Sequence, residues 1–331
     1  MKLENIPNPI IIQEFITESG AFYHSIPLHF TLAGQPLHSA PIVLVNHALT
    51  GNSQVTGEKG WWNDLIGEGK TIDTAVYTIL AFDVPGNGIN SFLIENYLDF
   101  TARDIARIFV EGVKALNIEK LFAVIGGSVG GGIAWEILAL EPDITENLIP
   151  IASDWKSTDW LIANCFLQEQ ILNNSSKPIE DARIHAMLCY RSPESFKEKF
   201  QRTINQELLI FNIESWLAHH GKKLQQRFQL SSYKLMNQLL KTIDITRNSE
   251  SFEKLLSKTK ASIHIVGINS DLFFTAKENV ETYEELKKFK DNVFYSEIVS
   301  VHGHDAFLIE YKQLDHLLAD IFKAETIKEI K

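Results

Sequence analysis

The residues L-F-A-V-I-G-G-S-V-G-G, 121–131, decide how this chain folds. Leu121, Phe122, Ala123, Val124 and Ile125 form a continuous apolar, β-prone run, which reads as a buried strand. Just beyond the glycines, Ile133, Trp135, Ile137 and Leu138 begin a helical pattern. Ser128 therefore falls at a sharp strand-to-helix turn. That is the context of a nucleophile elbow, in which a serine hydroxyl stands exposed at the top of a sheet. Glycines suit it because the turn is strained and neighbouring backbones pass too close for a Cβ. The same string also suits a turn that only packs tightly or cradles phosphate, so the rest of the chain must choose.

Working outward, short apolar runs recur at 42–45, 76–82, 148–152, 263–268 and 293–299. Continuous rather than alternating runs suit parallel strands buried on both faces. Helical patterns lie between several of them. Thr101 with Asp104 resembles a capping box, and Ile105, Ile108, Phe109, Gly112, Val113 and Leu116 follow at helical spacing, with Asn117 suited to the stop. This alternation predicts an α/β fold with a mostly parallel, doubly wound sheet. Two further strands are expected before it, at 10–15 and 27–33, around the turn signal Ser19-Gly20. Residues 155–248 break the rhythm, with many long polar residues, no convincing strand, and helical segments at 192–201 and 231–243. No Pro/Gly/Ser-rich linker flanks the stretch, which favours a helical lid over a separately folding domain. The expected division is a core from 1 to 154, a lid from 155 to 250 and the rest of the core from 251 to 331.

Composition bounds the function. The chain has 331 residues, 45% hydrophobic and 22% charged, which are ordinary globular values. A net charge of -11 argues against a nucleic-acid or anionic-membrane partner. No apolar run is long enough to span a bilayer, and the first residues lack the apolar core of a signal peptide. With only two cysteines, Cys165 and Cys189, a reducing cytoplasm is the simplest expectation, and both read as packing residues.

A serine nucleophile needs a base within hydrogen-bond reach and a carboxylate to orient that base. In the α/β-hydrolase fold the chain order is serine, acid, histidine. Asp271 follows the late run at 263–268 and is the acid candidate; a helix N-cap is its competing role. Val301-His302-Gly303-His304-Asp305 follows the last run, so one of its two histidines is the expected base. Their His-x-His spacing lacks the acidic or cysteine partners of a metal site, and no metal is expected. Oxyanion donors are expected from the backbone N–H of Val129 and from the loop 47–51 after the first core strand.

With these residues placed, the chain resembles the homoserine O-acetyltransferase family of α/β-hydrolase-fold acyltransferases. N-H-A-L-T-G-N-S (46–53), G-W-W-N-D-L-I-G-E-G-K-T-I-D-T (60–74), G-G-S-V-G-G (126–131), N-S-D-L-F-F (269–274) and G-H-D-A-F-L-I-E (303–310) carry the likeness. The resemblance implies a triad of Ser128, Asp271 and His304, with His304 rather than His302 as the base. It also implies an oxyanion hole made by the N–H groups of Leu49 and Val129. Asp305 would hold the α-ammonium of an amino acid, and Arg183, within A-R-I-H-A-M-L-C-Y-R-S-P-E (182–194), its carboxylate. The implied reaction is ping-pong transfer of acetyl from acetyl-CoA, a co-substrate rather than a bound cofactor, to L-homoserine in methionine biosynthesis. A homodimer through the lid is implied too. Two features depart from the family: D-V-P-G-N-G (83–88) is short where a long glycine-rich loop is usual, and Met187 replaces a usual histidine. An L-serine acceptor, a succinyl-CoA donor, water as acceptor, and a catalytically inert binding module are the alternatives.

Overall fold

The computed structural model describes residues 8–247 and 251–323. β1 (Ile10–Ile16) and β2 (Phe22–Leu28) form an antiparallel hairpin. β3 (Phe30–Gly34) starts after a one-residue break at His29. The single strand expected at 27–33 is therefore two. β2 serves the hairpin, whereas β3 pairs antiparallel with another strand at the edge of the main sheet. One apolar run contributes to two ladders, and periodicity within the run does not mark the switch. β4 (Ile42–Asn46) follows, then two short paired segments, β5 (Ile66–Gly67) and β6 (Ile72–Asp73), and β7 (Thr78–Phe82).

The capping box at Thr101 and Asp104 opens α1 (Ala102–Ala115). Asn117, at φ 54°, takes the left-handed conformation just beyond its end. β8 (Leu121–Gly127) and α2 (Val129–Leu140) flank Ser128, and β9 (Thr145–Ile151) follows. Five helices come next: α3 (Asp159–Asn174), α4 (Pro178–Tyr190), α5 (Pro193–Phe200), α6 (Asn212–Gln225) and α7 (Leu230–Lys241). Between α5 and α6 lies a short antiparallel pair not expected from the sequence, β10 (Ile204–Asn205) and β11 (Ile210–Phe211). Then follow α8 (Phe252–Leu256), β12 (Ser262–Ile268), α9 (Ala276–Lys287), β13 (Val293–Ile298) and α10 (Tyr311–Leu318).

Among the described residues one seven-stranded sheet runs in the order β13-β12-β9-β8-β4-β7-β3, all parallel except β3. Its central strands β4, β7 and β8 are buried along their whole length, as continuous apolar runs require. Two apolar clusters cover its faces. One joins α1 and α2 to α7 through Leu235, Met236, Leu239 and Leu240; the other gathers Trp62, Tyr77, Phe122 and Phe307. Each such leucine contributes about 1.5–3 kcal/mol by leaving water, so α7 is fastened to α2 by packing.

A buried carboxylate adds a polar fastening at the same place. Glu136 of α2 accepts from Arg103 Nε at 3.0 Å and from the Asp244 N–H at 3.0 Å, beyond the end of α7. Burial pushes its carboxyl up to about 7 despite Arg103 and Arg247.

Candidate active site

Ser128 sits between β8 and α2 at φ 58° and ψ -130°. Non-glycine residues adopt that region only when their surroundings force it. The neighbouring glycines make the turn possible by close approach. A Cβ on Gly126 would meet the Gly130 backbone at 2.5 Å, and one on Gly130 would meet the Asn46 carbonyl oxygen at 2.5 Å. The loop after β4 thus lies directly against the first turn of α2.

Asp271 follows β12, and His304 lies on a 3-10 helix (Gly303–Leu308) after β13. The structure brings both to Ser128. His304 Nε2 is 2.9 Å from Ser128 Oγ, and His304 Nδ1 is 2.7 Å from Asp271 Oδ2. All three side chains are buried. The second carboxylate oxygen of Asp271 accepts from the N–H groups of Phe273 and Phe274, at 2.7 and 3.0 Å. Asp271 therefore caps its own loop and holds the histidine at once, one oxygen to each. His302 turns the other way and accepts from Arg191 Nη2 at 2.8 Å.

Four rings enclose the His304 imidazole: Phe273, Tyr190, Phe307 and Phe274, with centroids 5.2 to 5.9 Å away. They fix its orientation and keep bulk water from its faces. Tyr190 comes from α4, so the five-helix segment supplies part of this enclosure. Burial holds the Tyr190 phenol well above its usual range, and it stays neutral.

Val129 is the first residue of α2, where an N–H has no intrahelical acceptor. Leu49 lies in the loop after β4 and lines a small internal cavity with Tyr190 and Phe273, two of the rings on His304. Among the described residues no hydrogen bond uses the N–H of Leu49 or of Val129. Two unspent donors on the loops beside Ser128 have the character an oxyanion site needs.

Arg183 and His304 both act on the charge of Asp305, which places Arg183 and Asp305, both expected from the sequence, near the relay. Arg183 lies over the Tyr190 ring at 5.6 Å and has no ion pair among the described residues. Burial pushes the Asp305 carboxyl up, against the opposing pull of Arg183, His304 and Arg191. Arg191 Nη1 is 4.0 Å from Asp305 Oδ2. A guanidinium without an ion pair near a half-buried carboxylate suits a ligand carrying both charges. Met187 is buried and contributes no charge.

Sequence reasoning missed Arg191, Tyr190 and Arg227. Arg227 donates from Nη1 to the Thr50 carbonyl at 3.0 Å and so braces the loop after β4 from the helical segment. No local motif announces these residues, because each acts across more than a hundred positions of chain. Burial raises the Cys165 thiol to about 12 and the Cys189 thiol to about 11. Among the described residues no cluster of histidine, cysteine and acidic side chains is able to hold a metal ion, and no helix is long and apolar enough to cross a membrane.

Residues 41–187 match a family model described as the alpha/beta hydrolase fold. A homoserine O-acetyltransferase of Chloroherpeton thalassium is 33% identical over 302 residues, spanning 83% of this chain and 78% of that protein. The crystal structure of homoserine O-acetyltransferase from Staphylococcus aureus superposes with a TM-score of 0.80 at 26% identity, covering 95% of this chain and 94% of that one. The esterase E22 L374D mutant superposes with a TM-score of 0.85 at 16% identity, covering 95% and 98%, a likeness of fold alone. With 33% identity spread over most of both chains, the protein belongs to the homoserine O-acetyltransferase family, acyltransferases built on the α/β-hydrolase fold.

Proposed function

We propose that this enzyme transfers an acetyl group from acetyl-CoA to the side-chain hydroxyl of L-homoserine through an acyl-enzyme on Ser128, as a cytoplasmic step of methionine biosynthesis. The observation that carries this reading is an Arg183 without an ion pair among the described residues, close enough to act on the charge of Asp305, beside a connected Ser128–His304–Asp271 relay. The relay supplies acyl chemistry. The two opposite charges supply a receptor for an amino acid.

His304 Nε2 takes the proton of Ser128 Oγ as that oxygen attacks the thioester carbonyl. Asp271 holds the imidazole by its Nδ1–H and stabilises the imidazolium. The N–H groups of Leu49 and Val129 receive the oxyanion, and His304 returns the proton to the departing thiolate. In the second half His304 takes the proton of the homoserine hydroxyl, which attacks the acyl-enzyme; the Ser128 Oγ–acyl bond then breaks, His304 returns the proton to Ser128 Oγ, and the acylated amino acid leaves. Arg183 receives the substrate carboxylate and Asp305 its ammonium. The enzyme works without a resident cofactor, and the helices α3 to α7 form the surface through which two copies pair. Apolar side chains exposed on that segment, Trp160, Phe166, Leu208 and Leu209, support the pairing.

Thiol release from acetyl-CoA, followed with and without L-homoserine, tests the reading. Release beyond one equivalent per enzyme is expected to require the amino acid, and all release is expected to vanish in Ser128→Ala. Equal release with water alone overturns the transferase assignment. Release unchanged in Ser128→Ala overturns the seryl intermediate.

A further inference from the structure

We infer that His47 is a positioning residue for the oxyanion hole: its Nδ1–H grips the Ala48 carbonyl and thereby aims the N–H of the same peptide unit, that of Leu49, at the oxyanion. This rests on the reading of Leu49 as an oxyanion donor.

His47 is buried, and both of its ring nitrogens are engaged. Nδ1 lies 2.8 Å from the Ala48 carbonyl oxygen, and Nε2 lies 3.0 Å from the Val84 backbone nitrogen. A carbonyl only accepts and a backbone N–H only donates. Only one protonation state satisfies both contacts, the neutral ring with its proton on Nδ1. Burial holds the ring neutral by lowering its basicity, against the opposing pull of Asp83. A charged ring would set an N–H against the Val84 N–H.

The Ala48 oxygen is held a second time, by the Gly51 N–H at 2.9 Å. In a trans peptide the C=O and N–H point in opposite directions. Two donors on the Ala48 oxygen therefore fix the direction of the Leu49 N–H on the other side of the same plane. The far end of the ring is anchored in turn. Val84 is the second residue of the short 83–88 loop, and Asp83, which opens it, accepts from the Ser53 N–H at 2.7 Å and from Asn90 Nδ2 at 2.6 Å. His47 thus takes its bearing from a rigid loop on one side and passes it to the catalytic peptide on the other. Such preorganisation is what makes an oxyanion donor effective.

Two substitutions separate this role from simple bracing. His47→Asn keeps a donor at the position of Nδ1 and loses the acceptor for Val84. His47→Gln keeps an acceptor near Nε2 and loses the grip on Ala48. Single-turnover acylation by p-nitrophenyl acetate, kcat and KM for acetyl-CoA, and thermal midpoints are measured for each. The Gln variant is expected to lose about 100-fold in acylation rate with KM within about twofold, the loss typical of one misdirected oxyanion donor. The Asn variant is expected to stay within about tenfold of wild type, even with a lower midpoint. Wild-type acylation in the Gln variant, or losses that merely follow the midpoints, overturns the inference.

Should neither variant fold, the ring nitrogen chemical shifts of His47 in the wild-type protein decide. The neutral Nδ1–H form is expected from about pH 5 to 8, across which an unperturbed histidine titrates. The other tautomer or a charged ring overturns the inference. Gly130→Ala displaces the same loop without touching the ring and serves as the arbiter. If it slows acylation while His47→Gln does not, only the role of His47 fails. If neither slows acylation, the Leu49 donor itself fails.

Discussion

Gly130→Ala adds a single methyl group at the point where the catalytic helix meets the loop that carries Leu49. The new carbon would lie 2.5 Å from the Asn46 carbonyl oxygen and 2.8 Å from that of His47. Both obstacles are backbone, so neither yields by changing rotamer. Ordinary contact begins at 3.4 Å, and relief from 2.5 Å requires the loop to retreat by about 0.9 Å. Leu49 sits two residues beyond His47 and moves with it. A misplacement of about 1 Å costs on the order of 100-fold in rate, and complete loss of one oxyanion donor costs about 100- to 1000-fold. The expected result is a 100-fold or greater fall in the acylation rate constant, with KM for acetyl-CoA nearly unchanged. Gly132→Ala is the matched control. Its added carbon meets the tip of Ile243 at 2.2 Å, a side chain rather than the backbone of the Leu49 loop, so it is expected to lower the thermal midpoint and spare kcat. Stopped-flow release of p-nitrophenol reads acylation directly, and differential scanning fluorimetry reads stability. Wild-type acylation in Gly130→Ala would refute the reasoning, as would equal loss of rate in both variants.

The remaining expectations concern the charges. Asp271→Asn keeps the bonds to the Phe273 and Phe274 N–H groups through Oδ1 but presents an amide to His304, which forces the wrong tautomer; kcat is expected to fall by about 10³–10⁴ with an unchanged circular dichroism spectrum, and a loss below tenfold contradicts the relay. Arg183→Ala removes a charge-assisted contact and is expected to raise KM for L-homoserine by about 10- to 150-fold while leaving that for acetyl-CoA alone; an equal rise in both counts against a carboxylate role. Asp154, fully buried, accepts from Thr282 Oγ1 and the Trp155 N–H, and burial raises its carboxyl to about 7 from 3.8. The folded chain keeps this proton where the unfolded chain releases it, so the contribution is complete below about pH 4 and diminishes as pH rises to about 7. Asp154→Asn is therefore expected to gain roughly 1–4 kcal/mol of stability at pH 8 relative to its effect at pH 4, measured by urea unfolding at both; a gain independent of pH is the contrary outcome.

The parts of the site that the sequence made legible are those whose physics is local. The elbow at Ser128 and the capping box at Thr101 each close within a few residues, so their residue types and spacing carry the whole interaction. Asp271 shows a different kind of legibility. A helix N-cap is the competing reading of this residue, but Thr275 caps α9, and the two oxygens of Asp271 go to His304 and to the N–H groups of its own loop. The two histidines of V-H-G-H-D were inseparable by spacing alone. Gly303 between them takes a left-handed φ of 67°, and the chain turns there, so that His302 meets Arg191 and His304 meets Ser128.

The five-helix segment resisted reading for a related reason. A helix announces itself by a single apolar stripe, but α3 buries Leu161, Cys165 and Leu172 while leaving Trp160, Phe166 and Leu167 exposed. Apolar residues all round erase the period that reveals a helix resting on a core. The same distribution carries a physical message. The Trp160 Nε1–H reaches the Leu272 carbonyl, one residue beyond the catalytic acid, at 2.6 Å, and the Ser192 Oγ–H reaches the Val301 carbonyl, three residues before the catalytic base, at 2.5 Å. Asp271 and His304 are thus held from both sides, by the sheet that delivers their loops and by the helices that close over them. A covering that bonds to the two loops carrying the acid and the base cannot be displaced without disturbing the relay. Exclusion of water and alignment of the triad are therefore one property of this fold, and a substitution that loosens Trp160 or Ser192 should raise hydrolysis and lower transfer together.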